Sequence, residues 1–182
     1  MFTRMRHIFG RFRGDRRGVS AVEFALLAPL MITLYVGCAE ISDGVSADRK
    51  VTLTAAALAN LAAQVTTIST TDMTNILDAS SAIISPYSTS QLSITLSCIN
   101  IDANKNATVK WSVTRGGTAR SGTITIPSAL AVASSQLLLG EASYQYRPTI
   151  GYTVTGTLNL SDKMYMSPRI TAPVYNSTAC AS

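Results

Sequence analysis

Residues 15–40 read DRRGVSAVEFALLAPLMITLYVGCAE, and between Val19 and Ala39 this stretch has a single charge, Glu23. An apolar run of 21 residues entered through Arg16 and Arg17 predicts a membrane-spanning helix with its basic flank held in the cytoplasm. The continuation EISDGVSADRKVTLTAAALANLAAQ is rich in alanine and leucine and has no proline. One helix is therefore expected from about Val19 to about Gln64, with a soft spot at Gly44. At 1.5 Å per residue it would extend about 70 Å, more than twice the hydrocarbon thickness. Its second half is expected outside the membrane, packed against a folded body.

That body shows a change of period. STTDMTNILDASSAIISPYS reads as a second, shorter helix capped by Thr71 or Asp72, with Met73, Ile76, Leu77 and Ile84 on one face and Pro86 as its stop. From Gln91 the pattern alternates: Leu92, Ile94, Leu96 and Cys98 against Ser93, Thr95 and Ser97. After the turn residues DANKNA, Val109, Trp111 and Val113 alternate in the same way, which predicts a hairpin. SGTITI, LLLGEASYQYRP and a shorter KMYMSPR are further strand candidates, and PSALAVASSQ is open between a short helix and a loop. The fold class expected is α+β: a long N-terminal helix that is half membrane span and half soluble, a short helix, then an antiparallel sheet of four or five strands. The expected organisation is a basic leader over 1–18, a span over 19–39 and an exported α+β domain over 40–182.

Charge supports this division. The chain of 182 residues has a formal net charge of +5. Arg4, Arg6, Arg11, Arg13, Arg16 and Arg17 lie in the leader against Asp15 alone, whereas Lys/Arg and Asp/Glu balance from Val19 onward. Phe9 and Phe12 between arginines would suit base stacking, but the apolar run that follows assigns the leader to a membrane surface, and nucleic acid is not an expected partner.

Chemistry is sparse. The one histidine, His7, is in the leader, so the body has neither a histidine base nor a histidine metal ligand, and no cofactor or metal is expected. Lys163 beside Ser161 and Asp162 is the one compact cluster, without Ser-x-x-Lys spacing, and the chain is not expected to be an enzyme. Tyr144, Tyr146, Tyr152, Tyr165 and Tyr175 suit either a binding surface or a half-buried sheet. Of three cysteines, Cys38 ends the apolar run; in an oxidising compartment Cys98 and Cys180 can pair and tether the tail, or both stay free thiols.

Three kinds of N-terminal signal compete. A cleaved secretory signal has a shorter apolar region, without an acid such as Glu23 or a proline such as Pro29. A lipoprotein signal would use Cys38 after Gly37, but the bulky Tyr35 stands three residues before that cysteine. The third retains the apolar helix. RRG followed by VSAVEFALLAPLMITLYVG resembles a prepilin signal, with Gly18 before the cut and an acid fifth in the trimmed chain. More narrowly, AVEFALLAP and the later Gly37, with EASYQYRP and YMSPR near the C terminus, resemble the TadE-like pseudopilins of the tight-adherence (Tad/Flp) pilus system.

The resemblance implies a bacterial inner-membrane protein, single-pass, with a cytoplasmic N terminus and its C-terminal domain outside. It implies cleavage between Gly18 and Val19 by a membrane-embedded aspartic prepilin peptidase, and partners among other Tad pilins and pseudopilins and an inner-membrane assembly platform. Glu23, Phe24 and Pro29 would be the assembly and recognition residues. Phe24 departs from the tyrosine that many Flp-type major pilins carry after the acid. The alternative is a single-pass or lipid-anchored envelope protein with no pilus role.

The implied cut gives Glu23 a use. An acid at the bilayer centre costs roughly 2.5–3.5 kcal/mol on insertion scales, less near an interface. Trimming after Gly18 would create an α-amine on Val19, about 6 Å along the helix axis from Glu23. The carboxylate can pair with that amine or with the amine of a neighbouring helix. Pro29 removes one helix hydrogen bond and leaves the Ala25 carbonyl without its usual donor, so a kink or local melting is expected there.

Overall fold

The computed structural model describes residues 17–148 and 156–180. The leader through Arg16 and the tyrosine at 152 lie outside the described residues. The chain divides between Ser42 and Asp43 into two compact units. Helix α1 (Arg17–Ala63) contributes its first half to one unit and its second half to the other. It is uninterrupted at both Pro29 and Gly44, so neither local melting nor a break occurs, and the Thr33 hydroxyl donates to the Pro29 carbonyl at 2.8 Å.

The second unit has the expected α+β architecture. After α1 come β1 (Thr67–Ile68), α2 (Thr70–Ala82), β2 (Leu92–Ile101), β3 (Ala107–Arg115), β4 (Thr123–Ile124), β5 (Ser135–Tyr146), β6 (Leu158–Met166) and β7 (Val174–Tyr175). Five strands form an antiparallel sheet in the order β4-β3-β2-β5-β6, while β1 and β7 pair in parallel. The N-cap of α2 is Ser69 rather than Thr71 or Asp72. Its hydroxyl accepts from the Asp72 backbone N–H at 3.1 Å while Asp72 accepts from the Ser69 backbone, a reciprocal capping box. The helix ends at Ala82, ahead of Pro86.

One face of the sheet carries the main core. Leu92, Ile94, Leu96 and Cys98 of β2, Trp111 of β3 and Leu138, Ala142, Tyr144 and Tyr146 of β5 meet Ala47, Val51, Ala55, Leu58 and Ala62 of α1 and Met73 and Leu77 of α2. The alanines set the spacing. A Cβ added to Gly140, in the middle of β5, would collide with the Ala55 carbonyl and lie 3.0 Å from the Ala59 backbone nitrogen. The strand glycine and the helix alanines thus let two backbones approach more closely than side chains would allow.

The other face changes character along its length. At one end Ser93, Thr95 and Ser97 of β2 stand beside Thr114 and Ser112 of β3 and Glu141 and Ser143 of β5. At the other, Ile99, Ile101, Ala107, Leu137 and Leu139 form a second small core covered by Ile124, Ile126 and Leu130. A bulge makes the switch: Cys98 faces Trp111 but Ile99 faces Val109, which leaves Lys110 as the extra, exposed residue. Val109 is therefore on the face opposite to Trp111, against the simple alternation expected. SGTITI supplies only the two residues of β4, PSALAV forms a single 3-10 turn at Ser128–Leu130, and β6 is longer than the KMYMSPR segment.

The C-terminal tail is tied across the inner face. The Arg169 backbone N–H donates to the Ala63 carbonyl at 3.0 Å, and its guanidinium to Asn60 at 2.8 Å. The Trp111 indole N–H donates to the Pro173 carbonyl at 3.3 Å, with the Tyr175 ring 5.6 Å away. Beyond β7, Asn176 and Ser177 both have positive φ, 45° and 66°, inside the tight turn closed by Tyr175 and Thr178. That reversal returns the chain to a disulfide between Cys180 and Cys98, both fully buried.

Candidate functional site

The residues singled out at the N terminus lie on the first half of α1. Arg17 begins the helix, Gly18 and Val19 follow, and Glu23 is one turn after Val19 on the same side of the helix. Glu23 is exposed, and no described residue pairs with its carboxylate. Around it Val19, Val22, Phe24, Leu26, Leu27 and Leu30 are all more than half exposed, Phe24 at 70% and Leu26 at 74%. Pro29 is exposed as well. An apolar helix with no covering on any side is unstable in water and at home in lipid or against other helices. This segment is long and apolar enough to cross a membrane.

Among the described residues, glycine at 18 and at 37 has no steric reason. A Cβ at either position would meet nothing within 4 Å, in contrast with Gly140. Both glycines also weaken a helix by roughly 0.5–1 kcal/mol each relative to alanine. Cys38 is a free, exposed thiol.

In the second unit the tyrosines separate by role. Tyr144 and Tyr146 are core residues, 5% exposed, with Tyr87 packed against both rings at 6.0 and 6.2 Å. Tyr165 and Tyr175 are half-buried. The Tyr87 hydroxyl donates to the Asp43 carboxylate at 2.7 Å, and the Tyr146 hydroxyl donates to the other carboxylate oxygen at 2.8 Å. Burial, then the hydrogen bond and charge of Asp43, push the Tyr87 phenol well above its usual range. This clamp at the start of the unit was missed in the sequence, where an isolated Asp43 carries no pattern.

The cluster of Ser161, Asp162 and Lys163 does not converge. On β6 Asp162 points to the helix side, where it accepts from the Thr52 hydroxyl at 2.6 Å, whereas Ser161 and Lys163 are on the outer face. Among the described residues no group of His, Cys, Asp and Glu side chains could hold a metal ion.

Residues 18–60, the length of α1 from the first glycine to within a turn of its end, match the family model described as TadE-like protein. Comparison with curated proteins and with solved structures returns no match. The matched stretch contains Gly18, Val19, Glu23, Phe24 and Pro29 together, and over this segment the chain is similar to the TadE-like family.

Proposed function

We propose that the chain is a minor pseudopilin of the Tad pilus, used in initiation or at the tip. It is inserted in the bacterial cytoplasmic membrane with its N terminus inside and its α+β domain outside. A membrane-embedded aspartic prepilin peptidase cuts it between Gly18 and Val19, and the retained span, 19–39, delivers it to the inner-membrane assembly platform and other Tad pilins. Arg16 and Arg17 hold the cut at the cytoplasmic face by the positive-inside rule.

The observation that carries this reading is Glu23: one carboxylate, without a partner among the described residues, on the otherwise uncharged and uncovered 19–39 stretch inside the TadE-like match. Intramembrane acids are expensive and take on function by pairing. The amine released on Val19 is a partner that exists only after processing. Pairing of Glu23 with the Val19 amine of a neighbouring helix then couples assembly to trimming. Gly18 fits the same account, since no described neighbour requires a glycine there.

Mass spectrometry of the mature chain, expressed with its pilus system, tests this. A mature start at Val19 is expected; an intact leader identifies a plain single-pass anchor, and a start at lipidated Cys38 a lipid-anchored envelope protein. Glu23→Ala is expected to be cut normally yet absent from sheared pili, and normal incorporation would sink the pairing role.

A further inference from the structure

The outer face of the sheet holds an open cleft that the assembly role does not use. After Gly116, which takes φ +75° at the end of β3, the chain folds back over the sheet as a strap. The Arg120 backbone N–H donates to the Ser112 hydroxyl at 3.0 Å, and the Arg120 guanidinium makes a two-pronged ion pair with Glu141 of β5. Clefts of about 380, 460 and 280 Å³ share Arg120 and Glu141 as walls. The first is lined by Ser93, Thr95, Thr118 and Ser143, the second by Ser143, Ser161, Asp162 and Lys163, and the third by Lys163 and Tyr165.

Three properties narrow what such a cleft can hold. Its walls are dominated by hydroxyls and charged groups, which suits a ligand made of hydroxyls and excludes a lipid or an apolar drug-like molecule. Arg120 occupies both Glu141 oxygens, so although Lys163 is the cross-strand neighbour of Glu141, no described carboxylate pairs with the Lys163 ammonium. In the third cleft, which Lys163 and Tyr165 line, two cations therefore face one anion, a spare positive charge; the Asp162 that lines the second is engaged on the helix side, where its carboxylate accepts from the Thr52 hydroxyl. Finally, the Lys163 ammonium lies 5.9 Å from the centroid of the Tyr165 ring, which puts a cation next to an aromatic face.

The geometry points to a binding site for an acidic saccharide, a uronic-acid-type sugar. Its carboxylate goes to Lys163, its hydroxyls to the serines, threonines and Arg120, and its ring to Tyr165. This site is independent of pilus assembly: it uses only residues of the second unit, none of them on α1.

Calorimetry on the full chain in detergent micelles tests it with three probes: trigalacturonate, the neutral maltotriose, and penta-aspartate, which has the charge without the hydroxylated ring. Trigalacturonate is expected to bind at least roughly tenfold more tightly than either of the others. Lys163→Gln should weaken it by about tenfold and Lys163→Arg should retain it, because the charge is kept. Glu141→Gln, which frees Arg120 for the ligand, should strengthen it several-fold. Equal binding of penta-aspartate, which would make the cleft an acidic-peptide site, overturns the assignment. So does equal binding of maltotriose, no binding of trigalacturonate in the millimolar range, or a Lys163→Gln protein that folds and binds unchanged.

Discussion

Gly140 of β5 faces the Ala55 carbonyl of α1 with no room for a methyl group between them. The nearest other atoms to an added Cβ, the Ala59 nitrogen at 3.0 Å and Cβ at 3.1 Å, belong to the same helix, so the obstruction is largely backbone. A flexible side chain could move aside; a helix backbone packed on a sheet cannot without shifting the whole interface. Gly140→Ala is expected to destabilise the folded domain by at least about 1–3 kcal/mol, the usual range for overpacking. Chemical denaturation in micelles checks it, and Gly37→Ala, where a Cβ meets nothing and helix propensity improves, is the control that should show no loss.

The capping box of α2 gives a second expectation. Ser69→Ala removes the acceptor for the Asp72 N–H and should cost about 1 kcal/mol. The hydrogen bonds from the Ser69 hydroxyl and backbone hold the Asp72 carboxyl below its usual pKa of 3.8. A lowered folded-state pKa contributes stability that is complete above that ordinary value and is lost as pH falls through the lowered one. The stability advantage of the wild type over Asp72→Asn should therefore be constant at neutral pH and close in acid, as read by unfolding midpoints across a pH series.

Helical and alternating periodicity made most of the architecture legible beforehand. The uncharged apolar run and the alanine- and leucine-rich, proline-free stretch after it marked α1 to within two residues at its start and one at its end, and Leu92 to Cys98 marked β2. What was not legible depended on partners distant in the chain. β1 and β7 are two residues each and are strands only because they find one another. Ile99 and Ile101 extend an alternating run into a second core that exists because residues 124–130 fold back over it. Ser69 lost to Thr71 and Asp72 as the expected cap because all three suit that position chemically; the Asp72 side chain reaching back to Ser69 decides it. At the N terminus the placement of Val19 and Glu23 one turn apart was readable from spacing, since a helix fixes that separation. The cleft at Arg120 was not, because the strap brings Arg120 to Glu141 across 21 residues of chain.

The Cys98–Cys180 bond closes a loop across a sequence separation of 82 residues. Constraining so long a loop in the unfolded chain corresponds to about 4–5 kcal/mol in the chain-entropy treatment, and native bridges commonly deliver about 2–5. Cys180→Ser is expected to lower stability within that range. Limited proteolysis should then cut the tail of the variant faster, since only the pairing of β7 with β1 and the Trp111–Pro173 hydrogen bond still hold residues 173–175.

Tail stability can also be raised. Ser177 holds φ +66° in the turn between Tyr175 and Thr178, a region costly for any residue with a side chain. Ser177→Gly removes that strain and should gain up to about 1 kcal/mol, less the greater freedom glycine brings to the unfolded chain. An increase in thermal midpoint at neutral pH is the expected reading, with the rate of tail proteolysis falling in parallel.

The Asp43 clamp gives the alkaline counterpart. Tyr87→Phe removes a donor to the Asp43 carboxylate and should cost about 1–2 kcal/mol at neutral pH. Because the Tyr87 phenol titrates above its ordinary pKa of 10.0 in the folded chain, its contribution is complete below that value. As pH rises beyond it the unfolded chain ionises first, and the wild type loses stability that Tyr87→Phe does not have to lose. The difference between the two proteins should therefore be flat through neutral pH and narrow in alkali. Tyr146→Phe removes the donor to the other Asp43 oxygen but leaves this narrowing in place, because Tyr87 still titrates. If the gap between wild type and Tyr87→Phe stayed constant as pH was raised well past the tyrosine range, Tyr87 would not be the protonated donor that the clamp requires.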